Sequence, residues 1–151
     1  MGKAELTYYI FEGVLVGRAR GKHFHIMALS GGGGGTTKGG KTFVGNNPYM
    51  TAWKTSGTGK KHVHGGPLPL GRYTIEEPQH HPHLGLSAEL KPDRFTAQMG
   101  RSGFFIHGRG PHGSDGCIVP LSRFQELMDA LTGDGGGVLH VLEAFGDMRF
   151  A

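Results

Sequence analysis

The chain has a single cysteine, Cys117. No internal disulfide can form, so the fold does not depend on oxidation and cysteine usage fixes no compartment. Long apolar runs are missing as well. No stretch approaches the roughly 20 residues of a membrane-spanning helix. The opening MGKAELTYYIF lacks the basic segment and apolar run of a secretory leader. These absences lead to the expectation of a soluble protein, made in the cytoplasm without a signal peptide and with no membrane partner. Aromatic residues are few, 9% of the chain. They are not interleaved with basic ones as a base-stacking platform requires, so no nucleic-acid partner is expected. The charge is only mildly positive, +4 with a pI near 9.4. Lys60-Lys61 is the densest basic pair, and nothing forms a block. Such a balance fits an ordinary solvated basic surface or attraction to an acidic polymer such as a cell wall.

Glycine is the residue in excess, 29 of 151. With few long helical patterns, this reads as short strands and many turns. The length suits one domain, residues 1–151, with no internal repeat and no linker. Leu6 to Phe11 and Val14 to Ala19 read as strands joined at Glu12-Gly13, and His23 to Leu29 as a third. Residues 30 to 42, SGGGGGTTKGGKT, read as loop, and residues 43 to 70 as mostly irregular chain. Arg72 to Ile75, Ser87 to Leu90, Gly103 to His107 and Val138 to Phe145 read as strands, and HHPHLG as a loop. One helix is expected. Ser122 would be its N-cap, with Gln125 completing a capping box. Phe124, Leu127, Met128 and Leu131 would form its apolar face, and Gly133 would end it.

Two constellations are weighed and set aside. Residues 35 to 42, GTTKGGKT, match the phosphate-loop pattern letter for letter. A phosphate loop must open a helix, and FVGNNPYM, with Gly45 and Pro48, does not continue one. The histidines His62, His64, His80, His81 and His83 have spacings that could hold zinc or nickel. No carboxylate or thiolate is tied to them, and Pro82 interrupts the cluster. No metal and no cofactor are expected.

The stretch FFIHGRGPHGSDGCIVP, Phe104 to Pro120, holds the remaining chemistry. A cysteine nucleophile needs a base, and an oxyanion needs donors. His107 at the end of a buried strand could be the base. Backbone N–H groups near Gly116 and Cys117 could receive the oxyanion. The helix that follows could favour a thiolate with its N-terminal dipole. On spacing alone the alternative stands beside this reading: an inert, buried cysteine near one of ten histidines.

The run GFFIHG followed by GSDGCI resembles the signature of the YkuD-like L,D-transpeptidases. More specifically, the chain is similar to their short effector branch, delivered by type VI secretion. The resemblance includes Ser30-Gly31, Asn47-Pro48, GPLPLGRY from Gly66 to Tyr73, and the cysteine block, in that order over most of the chain. Asp115 stands where the broad family has histidine, and the loop from His107 to Cys117 is shorter. Both departures suit the effector branch. The resemblance implies a mainly β, α+β fold: a β-sandwich or barrel with one main helix after the catalytic cysteine. It implies Cys117 as nucleophile, His107 as base and Ser114 as third member, with Asp115 or a backbone carbonyl as alternatives. Gly116 and Cys117 would supply oxyanion donors. Arg101, Arg109, Tyr73, Gly108 and Asp115 are candidate substrate contacts. The implied substrate is the peptidoglycan stem tetrapeptide, cleaved before its terminal D-alanine. The implied partners are a secretion apparatus and a cognate immunity protein, and the implied place of action is the target cell's periplasm. A non-catalytic or metal-dependent wall-binding protein is the alternative.

Overall fold

The computed structural model describes residues 3–30, 37–38, 41–43, 62–64, 67–96, 103–108 and 117–145. The first three strands form a meander: β1 (Ala4–Tyr9), β2 (Val14–Ala19) and β3 (Lys22–Ser30). Their sequences alternate. Ala4, Leu6 and Tyr8 point inward on β1, and Phe24, Ile26 and Ala28 on β3, the period of two that a one-sided strand requires. Further along come β4 (Thr37–Lys38), β5 (Lys41–Phe43), β6 (His62–His64), β7 (Gly71–Ile75), β8 (Gln79–His81), β9 (Gly85–Pro92), β10 (Phe104–His107) and β11 (Ile118–Pro120). A helix, α1 (Phe124–Asp134), and a last strand, β12 (Gly137–Leu142), complete the order.

Eight strands close on themselves in the order β10-β11-β3-β2-β1-β12-β7-β9, with β9 pairing back to β10. Among the described residues the fold is therefore mainly β with one helix, as expected, and the sheet is a closed barrel. β8 extends the edge of β9 beside β7. Pairing within this barrel is antiparallel except for β1 with β12 and β10 with β11. Helix α1 touches the neighbouring strands β1 and β2 and also β9, which lies on the far side of the barrel from them, so it lies across one mouth. It buries Leu127, Met128 and Leu131, the face expected of it, with Phe124 packed at the margin.

Several sequence expectations are corrected. Residues 30 to 42 are not all loop. Ser30 ends β3, and β4 and β5 pair with each other, while β6 joins β5 in a separate three-stranded sheet. The strand Lys41–Phe43 occupies the place where a phosphate loop would begin its helix, so that reading fails on geometry. His80 and His81 belong to β8 rather than to a loop. Residues 31–36 and 44–61, with Gly31, Asn47-Pro48 and Lys60-Lys61, lie outside the described residues.

The helix ends also differ. The N-cap is Arg123, in the left-handed conformation with φ 53°, and no side chain caps it, so Ser122 does not. Arg123 is fixed from three sides. Its Nε and terminal nitrogen donate to the Glu126 carboxylate at 2.9 and 2.8 Å, another nitrogen donates to the His23 carbonyl at 3.1 Å, and the guanidinium lies 4.4 Å from the Phe24 ring centre. Gln125 donates to Asp129 at 2.9 Å instead of closing a capping box. At the other end the left-handed glycine is Gly135, not Gly133. The Gly135 and Gly136 amides donate to Thr132 and Leu131, the paired bonds of a Schellman turn. Gly133 stays within the last turn because the Arg20 side chain lies over it and donates to its carbonyl at 2.8 Å.

Two predictions test these constraints. Gly17 has φ 143°, and a Cβ there would collide with the Glu5 carbonyl and approach the Leu6 Cα to 2.8 Å. Gly17→Ala should cost about 3 kcal/mol and lower the melting temperature by roughly 10 °C, as thermal unfolding will show. The hydrogen bond from Arg123 holds the Glu126 carboxyl at about 2, below its ordinary 4.5. A depressed carboxyl stabilises the fold above its unfolded value and stops doing so as pH falls toward its folded one. Glu126→Gln should therefore be less stable than the parent at neutral pH, and the gap should shrink below about pH 4.5 in denaturant melts at stepped pH.

Candidate functional site

The outer surface of the barrel has one unusual strip. On β10, Phe104 and Ile106 point into the core, as do Ala88 and Leu90 on β9 and Ile118 on β11. Alternation then puts Phe105, His107, Ser87, Glu89 and Cys117 outside. An outward residue is normally wet, and Glu89 is exposed. Ser87, His107 and Cys117 are only 3%, 4% and 8% exposed. A polar strip on the outside of the sheet is thus withdrawn from water.

The register explains how these residues meet. His107 lies opposite Ser87 and Phe105 opposite Glu89 across β10 and β9. Ser87 in turn lies opposite Gln79 of β8. The row Gln79–Ser87–His107 therefore crosses three strands. On the other side of β10, Ile106 pairs with Ile118 in the parallel sense, which sets Cys117 beside Phe105. The Phe105 amide donates to Cys117 Sγ at 3.3 Å, and the thiol contacts the Gly103 carbonyl at 3.6 Å. Phe105 thus directs its amide toward β11 rather than β9. By the alternation of an antiparallel pair, His107 and Ser87 form a non-hydrogen-bonded pair, the kind whose side chains come closer, with Cα atoms about 4.5 Å apart.

The sulfur lies against the start of β10, and His107 sits at its end. Phe105 and His107 are two residues apart, about 6.6 Å along a strand. Rotation of the cysteine side chain about χ1 is the motion that would carry the sulfur toward the imidazole. Beyond His107 the chain turns at Gly108, where a Cβ would meet the Phe124 ring at 3.0 Å. This close approach sets the start of α1 beside the end of β10. The upstream pieces of the sequence pattern converge here too. Ser30 is opposite Ile118, and its hydroxyl accepts the Leu68 amide at 2.9 Å, tying the Pro67–Leu70 segment to the site strands.

Not every candidate belongs to this surface. Tyr73 is a core residue, fully buried. Its hydroxyl donates to the Pro69 carbonyl at 2.7 Å, and its ring meets Phe104 edge-on at 6.1 Å. Placed so, it supports the strand that carries His107 and does not line a groove. Arg101, Arg109, Ser114, Asp115 and Gly116 lie outside the described residues. Among the described residues, no group of three or more histidine, cysteine, aspartate or glutamate side chains is placed to hold a metal ion. His81 Nδ1 accepts the His83 amide at 3.1 Å, which occupies one of its ligating nitrogens.

Sequence reasoning missed a cleft of about 190 Å³ that adjoins the strip. Glu77, Gln79, His81, Ser87, Glu89 and Phe105 line it, together with His80 and Pro82. The His81 ring packs edge-on against Phe105 at 5.2 Å. The alternation in GLSAELKP hinted that Ser87 and Glu89 share a face, but which strand would lie beside them was not in the pattern. Compared with known proteins, the chain matches no family model, no curated protein and no solved structure.

The Ser87 hydroxyl has no hydrogen-bond partner among the described residues. A buried hydroxyl without a partner contributes nothing to folding. Ser87→Ala should therefore match the parent within about 0.5 kcal/mol, or exceed it. Tyr8→Phe removes a buried hydroxyl that donates to the Ala28 carbonyl at 2.9 Å and should cost about 1–2 kcal/mol. Urea midpoints of the two variants check the contrast.

Proposed function

We propose that the protein is a cysteine L,D-transpeptidase and L,D-carboxypeptidase acting on peptidoglycan stem tetrapeptides. One observation supports the reading above the rest. The single cysteine, immediately before β11, and His107, at the end of the adjoining parallel strand β10, are ten residues apart in sequence and share one dehydrated strip beside a cleft. An inert core cysteine would point inward with Ile106 and Ile118. The ordered run from Ser30 to Cys117 and its likeness to the short effector branch supply the substrate class.

In this mechanism the Cys117 sulfur leaves the Phe105 amide and turns toward His107, which takes its proton. The thiolate attacks the carbonyl of the stem's diamino acid, and backbone N–H groups at Gly116 and Cys117 hold the oxyanion. Collapse breaks the bond to the terminal D-alanine, whose amine takes the proton back from His107. A thioester on Cys117 remains. Water resolves it to a tripeptide and free thiol, a free D-amino acid resolves it by exchange, and the amine of a second stem gives a cross-link. Ser114 is the third member in this scheme, and Arg101 or Arg109 grips a substrate carboxylate. The likeness further suggests an antibacterial effector exported by a type VI apparatus, active in a rival's periplasm and blocked in the producer by an immunity protein.

Mass spectrometry of tetrapeptide muropeptides incubated with the protein, with and without a non-native D-amino acid, tests the activity. The expected outcome is loss or exchange of the terminal D-alanine, abolished by Cys117→Ala and slowed about 10²–10⁴-fold by His107→Ala. Unchanged muropeptides, with folded protein and a reduced thiol, would reject the enzyme and favour a wall-binding role.

A further inference from the structure

The cleft beside the cysteine has a charge that contrasts with the rest of the chain. The protein carries +4 overall, yet among the described residues no lysine or arginine lines this cleft and two carboxylates, Glu77 and Glu89, do. The nearest lysine in sequence on β9, Lys91, is engaged by Glu76 at 3.5 Å. Among the described residues no cation pairs with Glu77 or Glu89. Carboxylates alone would mean little on a surface. Ser87 supplies the second observation. It is 97% buried, lines the same cleft, and its hydroxyl has no partner among the described residues. A hydroxyl in the wall of a cleft, with no partner among the described residues, is open to a donor from a bound molecule.

Size narrows the occupant. At about 30 Å³ per water, the cleft holds roughly six waters. That suits a side chain of five or six heavy atoms. The walls divide the same way. Phe105 and His81 form an aromatic side, and the Glu77, Glu89 and Ser87 oxygens form a polar one. We propose that this cleft is a binding site for a primary ammonium on a short apolar stem, the side-chain amine of a diamino acid. Glu77 and Glu89 are its countercharges, Ser87 Oγ accepts one of its N–H bonds, and Phe105 covers the methylenes. The site opens beside the thiol because Phe105 belongs to both: its ring lines the cleft and its amide holds Cys117 Sγ. The assignment of this amine to the stem peptide rests on the proposed activity, but the binding itself does not.

Nuclear magnetic resonance titration of the full chain separates the two. The probes are Nα-acetyl-lysine amide and its uncharged counterpart, Nα-acetyl-norleucine amide. The lysine probe should shift the amides of Ser87 and Phe105, bind at least tenfold more tightly than the norleucine probe, and weaken with added salt. The double variant Glu77→Gln, Glu89→Gln, folded by its own spectrum, should reduce that preference below threefold. Equal binding of the two probes, binding of neither, or a preference that survives the double variant would overturn the site. Muropeptide turnover is read in parallel. Ammonium binding without turnover keeps the site and rejects the activity. Turnover that the double variant leaves unchanged keeps the activity and rejects the assignment of the bound amine to the stem peptide.

Discussion

Closure of the barrel depends on a strand of four residues. Phe104 to His107 must pair with β9 on one side and β11 on the other, and without both pairings the other seven strands would form an open sheet with two bare edges. The strand is short, so its anchoring comes from side chains. Phe104 and Ile106 enter the core, where Phe104 meets Tyr73 edge-on. The Cys117 sulfur adds a further tie, since it accepts the Phe105 amide at the point where β11 has not yet begun to pair. The thiol is therefore a structural element of the closed barrel as well as its candidate nucleophile. Any chemistry at the sulfur must release one bond to the strand that carries the candidate base.

The same closure accounts for the dehydrated strip. Parallel pairing sets β11 beside β10 with Ile106 against Ile118, so the residues flanking that pair turn outward together. Antiparallel pairing with β9 sets Ser87 against His107 on the same outer face. A barrel needs only its inner residues dry, and Leu or Val at 87 and 107 would serve packing better than a serine and a histidine. Buried polar groups of this kind cost stability and are retained where function requires them. The burial of these side chains, independently of the sequence pattern around Cys117, marks the same residues.

Much of this was legible in the sequence. Alternation showed β1, β2, β3, β7 and β12 to within a residue or three at each end, and it delivered His107 to the end of a strand. Apolar spacing gave the buried face of α1. The failures have physical causes. Ser122 looked like a cap because its type and the Gln125 spacing suit one, but Arg123 is held by Glu126, Phe24 and the His23 carbonyl, and the tertiary contacts decide where the helix starts. Composition hid β4, β5 and β6, since glycine-rich and histidine-bearing segments carry no apolar period. The cleft was illegible for a deeper reason. Glu77, the β9 pair Ser87 and Glu89, and Phe105 come from three separate segments, and only the register of β8, β9 and β10 brings them together.

The charge of the protein and the charge of its cleft then have different ranges. At physiological salt, fields between exposed charges fade over about 8 Å. The net positive charge acts at the distance of encounter and favours an anionic polymer such as the cell wall. Glu77 and Glu89 act only within the cleft, where they would repel a carboxylate and attract an ammonium. A peptidoglycan stem carries both signs: carboxylates along its length and an amine on its diamino acid. A uniformly basic surface would draw such a stem without orienting it. On the proposed activity, an acidic cleft within a basic surface would fix which end approaches the thiol, so that the carbonyl next to the diamino acid, rather than another along the stem, would be presented to Cys117.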